Sequence, residues 1–221
     1  MKRTKLAQRV LPTYTRGEEI MNMVTHIVGG GIAILALVLC LWKAVGSAAD
    51  LIGTLIYGGT MVTLYAVSSV YHGLKAEMGK KVMQVIDHCT IYFLIAGTYT
   101  PILISGFIPV YPGIGWGLLT MEWGLCFTAA TLTAIDLKKY NAFSMICYIG
   151  MGWGIIFFLP QCMDILSPTG FYLLLSGGIA YTVGAILYGI GSKLPWFHSI
   201  FHIFVVLGSL LQALAIYLYA L

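Results

Sequence analysis

Charge is the scarcest ingredient of this sequence. Its 221 residues include 12 Lys and Arg and 8 Asp and Glu, 9% of the chain, where a soluble domain carries about 25%. Hydrophobic residues make up 59%, and the mean hydropathy is +0.91. A soluble globule of this length could not hide so much apolar surface. Disorder is excluded by the same numbers, because disordered chains are poor in apolar residues. Cysteine is sparse and odd in number, five in all, which excludes a disulfide-stapled scaffold. The sequence also lacks low-complexity tracts, convincing internal repeats and a phosphate-binding glycine loop. What remains is an all-α, polytopic membrane protein. The net charge of +4 then bears on orientation in the bilayer and is no evidence for nucleic-acid binding.

A membrane helix needs about 20 mostly apolar residues. Charges and turn residues cut the chain into seven such stretches, roughly 20–43, 51–74, 84–107, 113–135, 142–163, 169–191 and 197–221. Pro109 and Pro112 separate the third from the fourth, and Ser167 and Pro168 the fifth from the sixth. The expected organisation is a short basic tail, 1–19, followed by a single seven-helix transmembrane domain, 20–221. The first stretch is too long for the apolar core of a signal peptide and follows Glu18 and Glu19, so it reads as a retained span. Lys2, Arg3, Lys5, Arg9 and Arg16 lie in or near the tail. Lys75, Lys80 and Lys81, then Lys138 and Lys139, then Lys193 fall in alternate loops on the same side. Eleven basic residues thus face one side, against Lys43 alone on the other, which predicts a cytoplasmic N-terminus and an external C-terminus.

Ionisable groups inside a bilayer are costly and mark function. On this topology all five histidines, His26, His72, His88, His198 and His202, fall in one cytoplasmic-side layer. The sharpest local pattern is His198-Ser-Ile-Phe-His202, whose imidazoles at i and i+4 share a helix face and can reach one ion. Alone, this spacing fits a pair of interfacial histidines equally well. His72 is the best third ligand by depth, with Ser68 four residues earlier on the same face. Three histidines with an open fourth position describe a catalytic zinc site, in which a water is acidified towards neutral pH. Asp87 would stand nearby as proton acceptor or as a partner of the ligands. His88 points about 100° away from Asp87 and is expected to be interfacial or supporting. Glu122, near the middle of the fourth stretch, reads as a neutral carboxyl hydrogen-bonded between helices. The cysteines have no metal-ligand spacing and read as small buried hydrophobes. Gly29-Gly30-Gly31 reads as close helix packing.

Four segments together resemble the bacterial haemolysin III proteins, which belong with the progestin and adipoQ receptors, including adiponectin receptors; alkaline ceramidases share the site pattern more distantly. The segments are Glu19-x-x-Asn22-x-x-Thr25-His26, Ser68-x-x-x-His72, Asp87 with Gly97 and Pro101, and His198-x-x-x-His202. The resemblance runs from about Thr15 to Leu221. It implies a seven-helix fold with the N-terminus inside, in the bacterial cytoplasmic membrane. It also implies a zinc ion in the cytoplasmic half held by the residues matching His72, His198 and His202, with Ser68 and Asp87 as the accompanying polar residues. In the receptors and ceramidases the site is associated with hydrolysis of a lipid amide. Bacteria commonly lack ceramide, so that substrate does not carry over, and the tail is too short to imply a hormone-signalling partner.

The first expected function is therefore an intramembrane zinc hydrolase of a lipid amide or ester, with Asp87 taking a proton from water and Ser68 helping to stabilise the oxyanion. Glu19, Asn22, His26 and His88 complete the polar site candidates. The alternatives are a non-enzymatic lipid sensor with a structural zinc, which would need a closed fourth ligand such as Asp87, and a pore-forming haemolysin, which would need a polar path through both leaflets.

Overall fold

The chain is described by a computed structural model over residues 4–191 and 194–221. Lys2, Arg3 and Lys193, three of the basic residues used for orientation above, lie outside the described residues. All regular structure among the described residues is helical. The physical reason is the solvent: in hydrocarbon every backbone N–H and C=O must be satisfied within its own segment. The helices are α1 (Arg16–Lys43), α2 (Ala48–Gly73), α3 (Glu77–Pro101), α4 (Pro112–Ile135), α5 (Asn141–Trp153), α6 (Leu159–Gly191) and α7 (Phe197–Ala215). After Pro101 the third helix continues through a π-helical turn, Ile102–Phe107.

Among the described residues, six helices are long and apolar enough to cross a membrane. The sequence reading expects seven. The difference lies in residues 141–191, which form one nearly unbroken helical stretch of 51 residues. That stretch is not straight. Ser167 has φ 60° and ψ 163°, outside the helical region, and its hydroxyl accepts the N–H of Gly170 at 3.5 Å. Ser167 thus caps a new helical start, with Pro168 in the first position, where a missing N–H costs nothing. The Trp153 indole donates to Thr182 Oγ1 at 3.0 Å. Twenty-nine residues of straight helix would hold those two apart by about 43 Å, so the stretch doubles back at Ser167.

Long-range hydrogen bonds sort the chain into two ends. At one end the Thr4 N–H donates to Asp136 Oδ2 at 2.7 Å, Lys81 Nζ donates to the Ala7 carbonyl at 3.1 Å, and the Trp196 N–H donates to Glu18 Oε1 at 2.7 Å. At the other end Lys43 Nζ donates to the carbonyls of Tyr217 and Leu218, and Tyr111 donates to Asp164 at 2.9 Å. The third helix begins at Glu77, well before the expected 84. Apolarity marks only the part of a helix that meets lipid, and the charged first turn is helical as well: Lys81 pairs with Glu77 at 2.6 Å, one turn away.

The bundle core is apolar and aromatic, with Tyr57, Met61, Tyr65, Leu103, Phe107, Leu166 and Ile216 fully buried. Of the glycine triplet, Gly29 alone is a tight seat: a Cβ there would lie 2.5 Å from the Tyr65 ring, whereas Gly31 faces open space.

Candidate metal centre

The site is assembled at the end of the bundle that carries the N-terminus. A capping box starts α1, with Thr15 accepting the Glu18 N–H and Glu18 accepting the Thr15 N–H. The second Glu18 oxygen holds the N–H of Trp196, which adopts a left-handed φ of 67° at the start of α7. One carboxylate therefore fixes the first turns of α1 and α7 side by side. That puts Glu19, Asn22 and His26 of α1 opposite His198 and His202 of α7, with His72 arriving from the last turn of α2.

The nitrogens of His72, His198 and His202 lie within 4.8 Å of one another, and all three residues are buried. His202 Nε2 is 3.1 Å from His198 Nε2. Two nitrogens bound tetrahedrally to one zinc are about 3.3 Å apart, given bonds of about 2.0–2.1 Å. The remaining ring nitrogens are held from outside. His72 Nδ1 lies 2.7 Å from Glu19 Oε2, and the other Glu19 oxygen accepts from Lys80 at 2.6 Å. A carboxylate beside a lysine can only accept, so His72 carries its proton on Nδ1. His202 Nδ1 lies 3.2 Å from the Asn22 carbonyl, which likewise fixes its proton there. The Asn22 side chain is held by Ser199, which donates to Oδ1 at 2.6 Å. Both Nε2 atoms are left with bare lone pairs turned into the cluster, and His72 Nε2 is buried with no hydrogen-bond partner among the described residues. Imidazoles oriented through Nδ1 by a carboxylate and a backbone carbonyl are what metal sites use, so the residues present fit a divalent transition metal.

Asp87 is outside the three-histidine group. It is paired with the Ser68 hydroxyl, and both line an elongated cavity together with His26, His88, His198 and His202. The cavity encloses about 190 Å³ and continues past Leu94, Ile102, Phe171 and Leu174 to Gln212. From His198 to Gln212 is about 21 Å of helix, most of the depth of a hydrocarbon core of about 30 Å.

His26 stacks on His202 with ring centres 3.7 Å apart and an interplanar angle of 20°. His88 is turned away from the triad: Nδ1 donates to the Gln84 carbonyl at 2.8 Å, and Nε2 lies 3.2 Å from the Tyr188 hydroxyl. Glu122 is fully buried, and neither carboxyl oxygen has a partner among the described residues. The bond between helices expected for it is not present; its oxygen instead lies beside Gly154.

Three site residues escape the sequence reading. Tyr14 stacks on His198 at 4.8 Å and 18°, delivered by the extended segment that Thr4 and Ala7 tie down. Burial holds its hydroxyl above the ordinary tyrosine range. Lys80 counts only as a topology charge in the sequence, yet it fixes Glu19. Ser199, inside the His-x-x-x-His motif, orients Asn22. The spacing of Ser199 could have shown its face; nothing local marks Tyr14.

The comparisons with known proteins agree with the motifs. The Haemolysin-III related family matches residues 14–213. The chain is 37% identical over 206 residues to Hemolysin-3 of Bacillus cereus, covering 92% of each chain. It is 38% identical over 198 residues to the Hemolysin-3 homolog of Bacillus subtilis strain 168, covering 89% of this chain and 91% of that one. A more distant similarity, 26% over 174 residues, reaches the human monocyte to macrophage differentiation factor, with 74% of this chain and 68% of that one covered, a link to the adiponectin receptor family. With its helices, its motifs and this coverage taken together, the chain belongs to the haemolysin III-related family of membrane proteins.

Proposed function

We propose that this protein is a zinc-dependent intramembrane hydrolase of a lipid amide or ester. The observation that carries the reading is the bare Nε2 of His72 and its convergence with His198 and His202, which line an apolar cavity. His72, His198 and His202 would hold the ion, and three imidazoles with a free fourth position suit zinc. When bound, zinc supplies Lewis-acid activation of water and of a carbonyl group. Asp87 accepts the proton of the attacking water and returns it to the leaving group, and Ser68 holds the Asp87 carboxylate in place. The cavity takes the acyl chain along α7. Glu19 and Asn22 orient His72 and His202, and His88 braces Tyr188 on the cavity wall.

The same proposal includes seven crossings, with the N-terminus in the cytoplasm of a bacterial inner membrane and the C-terminus outside. The reversal at Ser167, and the separation of Thr4 with Asp136 from Lys43 with Tyr217, support an odd number of crossings. A structural zinc would need Asp87 as a fourth ligand; its pairing with Ser68 on the cavity wall favours the open site.

The test is metal content. The chain purified in detergent without added metal is expected to hold about one zinc per chain by elemental analysis, lost in His72→Ala and His202→Ala. Lipid amides and esters are then screened, with Asp87→Asn expected to keep zinc and lose turnover. A well-folded wild type without zinc would overturn the hydrolase reading.

A further inference from the structure

His26 is buried, 3% exposed, and neither ring nitrogen has a hydrogen-bond partner among the described residues. Leaving a polar group buried and unpaired is costly, and a hydrogen-bonding occupant of the adjoining cavity would relieve that cost. The ring cannot swing away to find a partner. One face lies on His202, with centres 3.7 Å apart, and the Tyr65 ring meets it edge-on at 5.1 Å and 89°. Tyr65 is itself pinned by Ser209 at 2.7 Å. His26 is not one of the converging nitrogens of the metal group, yet it lines the same cavity wall as Ser68, Asp87, His198 and His202. An imidazole in its neutral form presents one donor and one acceptor. Everything that immobilises the ring is a stacking or edge contact, so neither nitrogen is taken by a described side chain or backbone group.

We propose that His26 is a ligand-binding residue that donates a hydrogen bond to the carbonyl or carboxylate oxygen of an acyl-chain ligand seated beside the metal. The role rests on the metal-hydrolase reading of the same site. It adds a protein group that grips the polar head of the ligand independently of the ion, while the chain extends towards Gln212. The other nitrogen accepts from a hydroxyl or a water of the bound head.

The test uses the full-length chain in detergent, with dodecanoyl hydroxamate as the probe, because it joins a carbonyl and a metal-binding group to a twelve-carbon chain. Binding is followed by intrinsic tryptophan fluorescence, to which Trp153 on the cavity wall contributes, and zinc is measured on the same samples. His26→Phe keeps an aromatic ring for the stack and removes both nitrogens; His26→Leu removes them with a different shape, which guards against a folding fault peculiar to one variant. Both are expected to keep the wild-type zinc content and to raise the Kd for the probe by about tenfold or more, the value of one lost buried hydrogen bond. His26→Gln, which restores a donor and an acceptor, is expected to recover most of that loss. An unchanged Kd in zinc-replete His26→Phe and His26→Leu would overturn the proposal and assign His26 to packing or to a fixed water. Absence of zinc from the wild type would instead overturn the reading on which it rests.

Discussion

At the residue scale the site depends on groups that never touch an ion. Glu19 sets the tautomer of His72 from 2.7 Å away and is neutralised by Lys80. Glu19→Gln removes the charge but leaves an amide of the same size. Loss of such a supporting group costs about 10–100-fold in metal affinity, and we expect a zinc Kd raised by that factor in a competition titration, with the fold retained. Gly29 is the second case. A methyl group there meets the Tyr65 ring, and Tyr65 carries the bonds to Ser209 and Val205. Overpacking of this kind costs about 1–3 kcal/mol, so Gly29→Ala should lower the melting temperature, whereas Gly31→Ala should leave it unchanged. The sequence makes His198 and His202 legible because i, i+4 spacing is a local property, and His72 because its depth along the second stretch matches theirs. It hides Tyr14, whose place over His198 depends on a strap anchored 132 residues away. It also misleads on Glu122, since a hydrogen bond between helices depends on how two helices are rotated against each other.

At the scale of elements the reversal at Ser167 and the N-terminal strap carry most consequences. A run of apolar residues shows where a helix meets lipid, and Ser-Pro at 167–168 is a readable cap and start. The continuity of helical geometry from Asn141 up to that turn, through a 3-10 segment at Gly154–Phe158, is not readable, because it is fixed by Tyr99, which donates to the Met151 carbonyl and accepts from the Ile155 N–H. Tyr99→Phe is expected to destabilise the chain by about 1–3 kcal/mol, since it leaves the Ile155 N–H without its partner while the Met151 carbonyl keeps the Gly154 N–H; a denaturation midpoint reads this directly. The strap is clasped by Asp136, whose carboxyl the Thr4 N–H holds below the ordinary aspartate range. A lowered carboxyl pKa gives a contribution that is present above the ordinary value, about 3.9, and lost as pH falls through the lowered one. Amide exchange of residues 4–14, corrected for intrinsic rate, should therefore stay constant from neutral pH down to about 5 and rise only below about 4. Asp136→Ala should release the strap at every pH.

At the scale of the whole molecule the proposed arrangement makes a sidedness prediction. Thr13 sits on the strap and Val45 in the exposed turn after α1. The native cysteines are buried or half-buried, so a membrane-impermeant maleimide should report introduced ones. Val45→Cys should label in intact cells, and Thr13→Cys only in inverted vesicles; the reverse pattern would invert the topology. The composition alone places the chain in a bilayer, and the basic residues give the orientation proposed above. Neither reveals that four histidines from three helices form a single cluster, because that needs α1, α2 and α7 to meet, and Glu18 brings two of them together.

The clasp between Thr4 and Asp136 has a practical corollary for anyone handling the protein. An affinity tag or reporter fused on the N-terminal side of Thr4 would hang from the segment that lays Tyr14 over His198. Its bulk and its motion would load the approach to the histidines. A fusion at Leu221 would emerge at the opposite end of the bundle, beyond the Lys43 bonds to Tyr217 and Leu218, and would leave that approach as the native chain builds it.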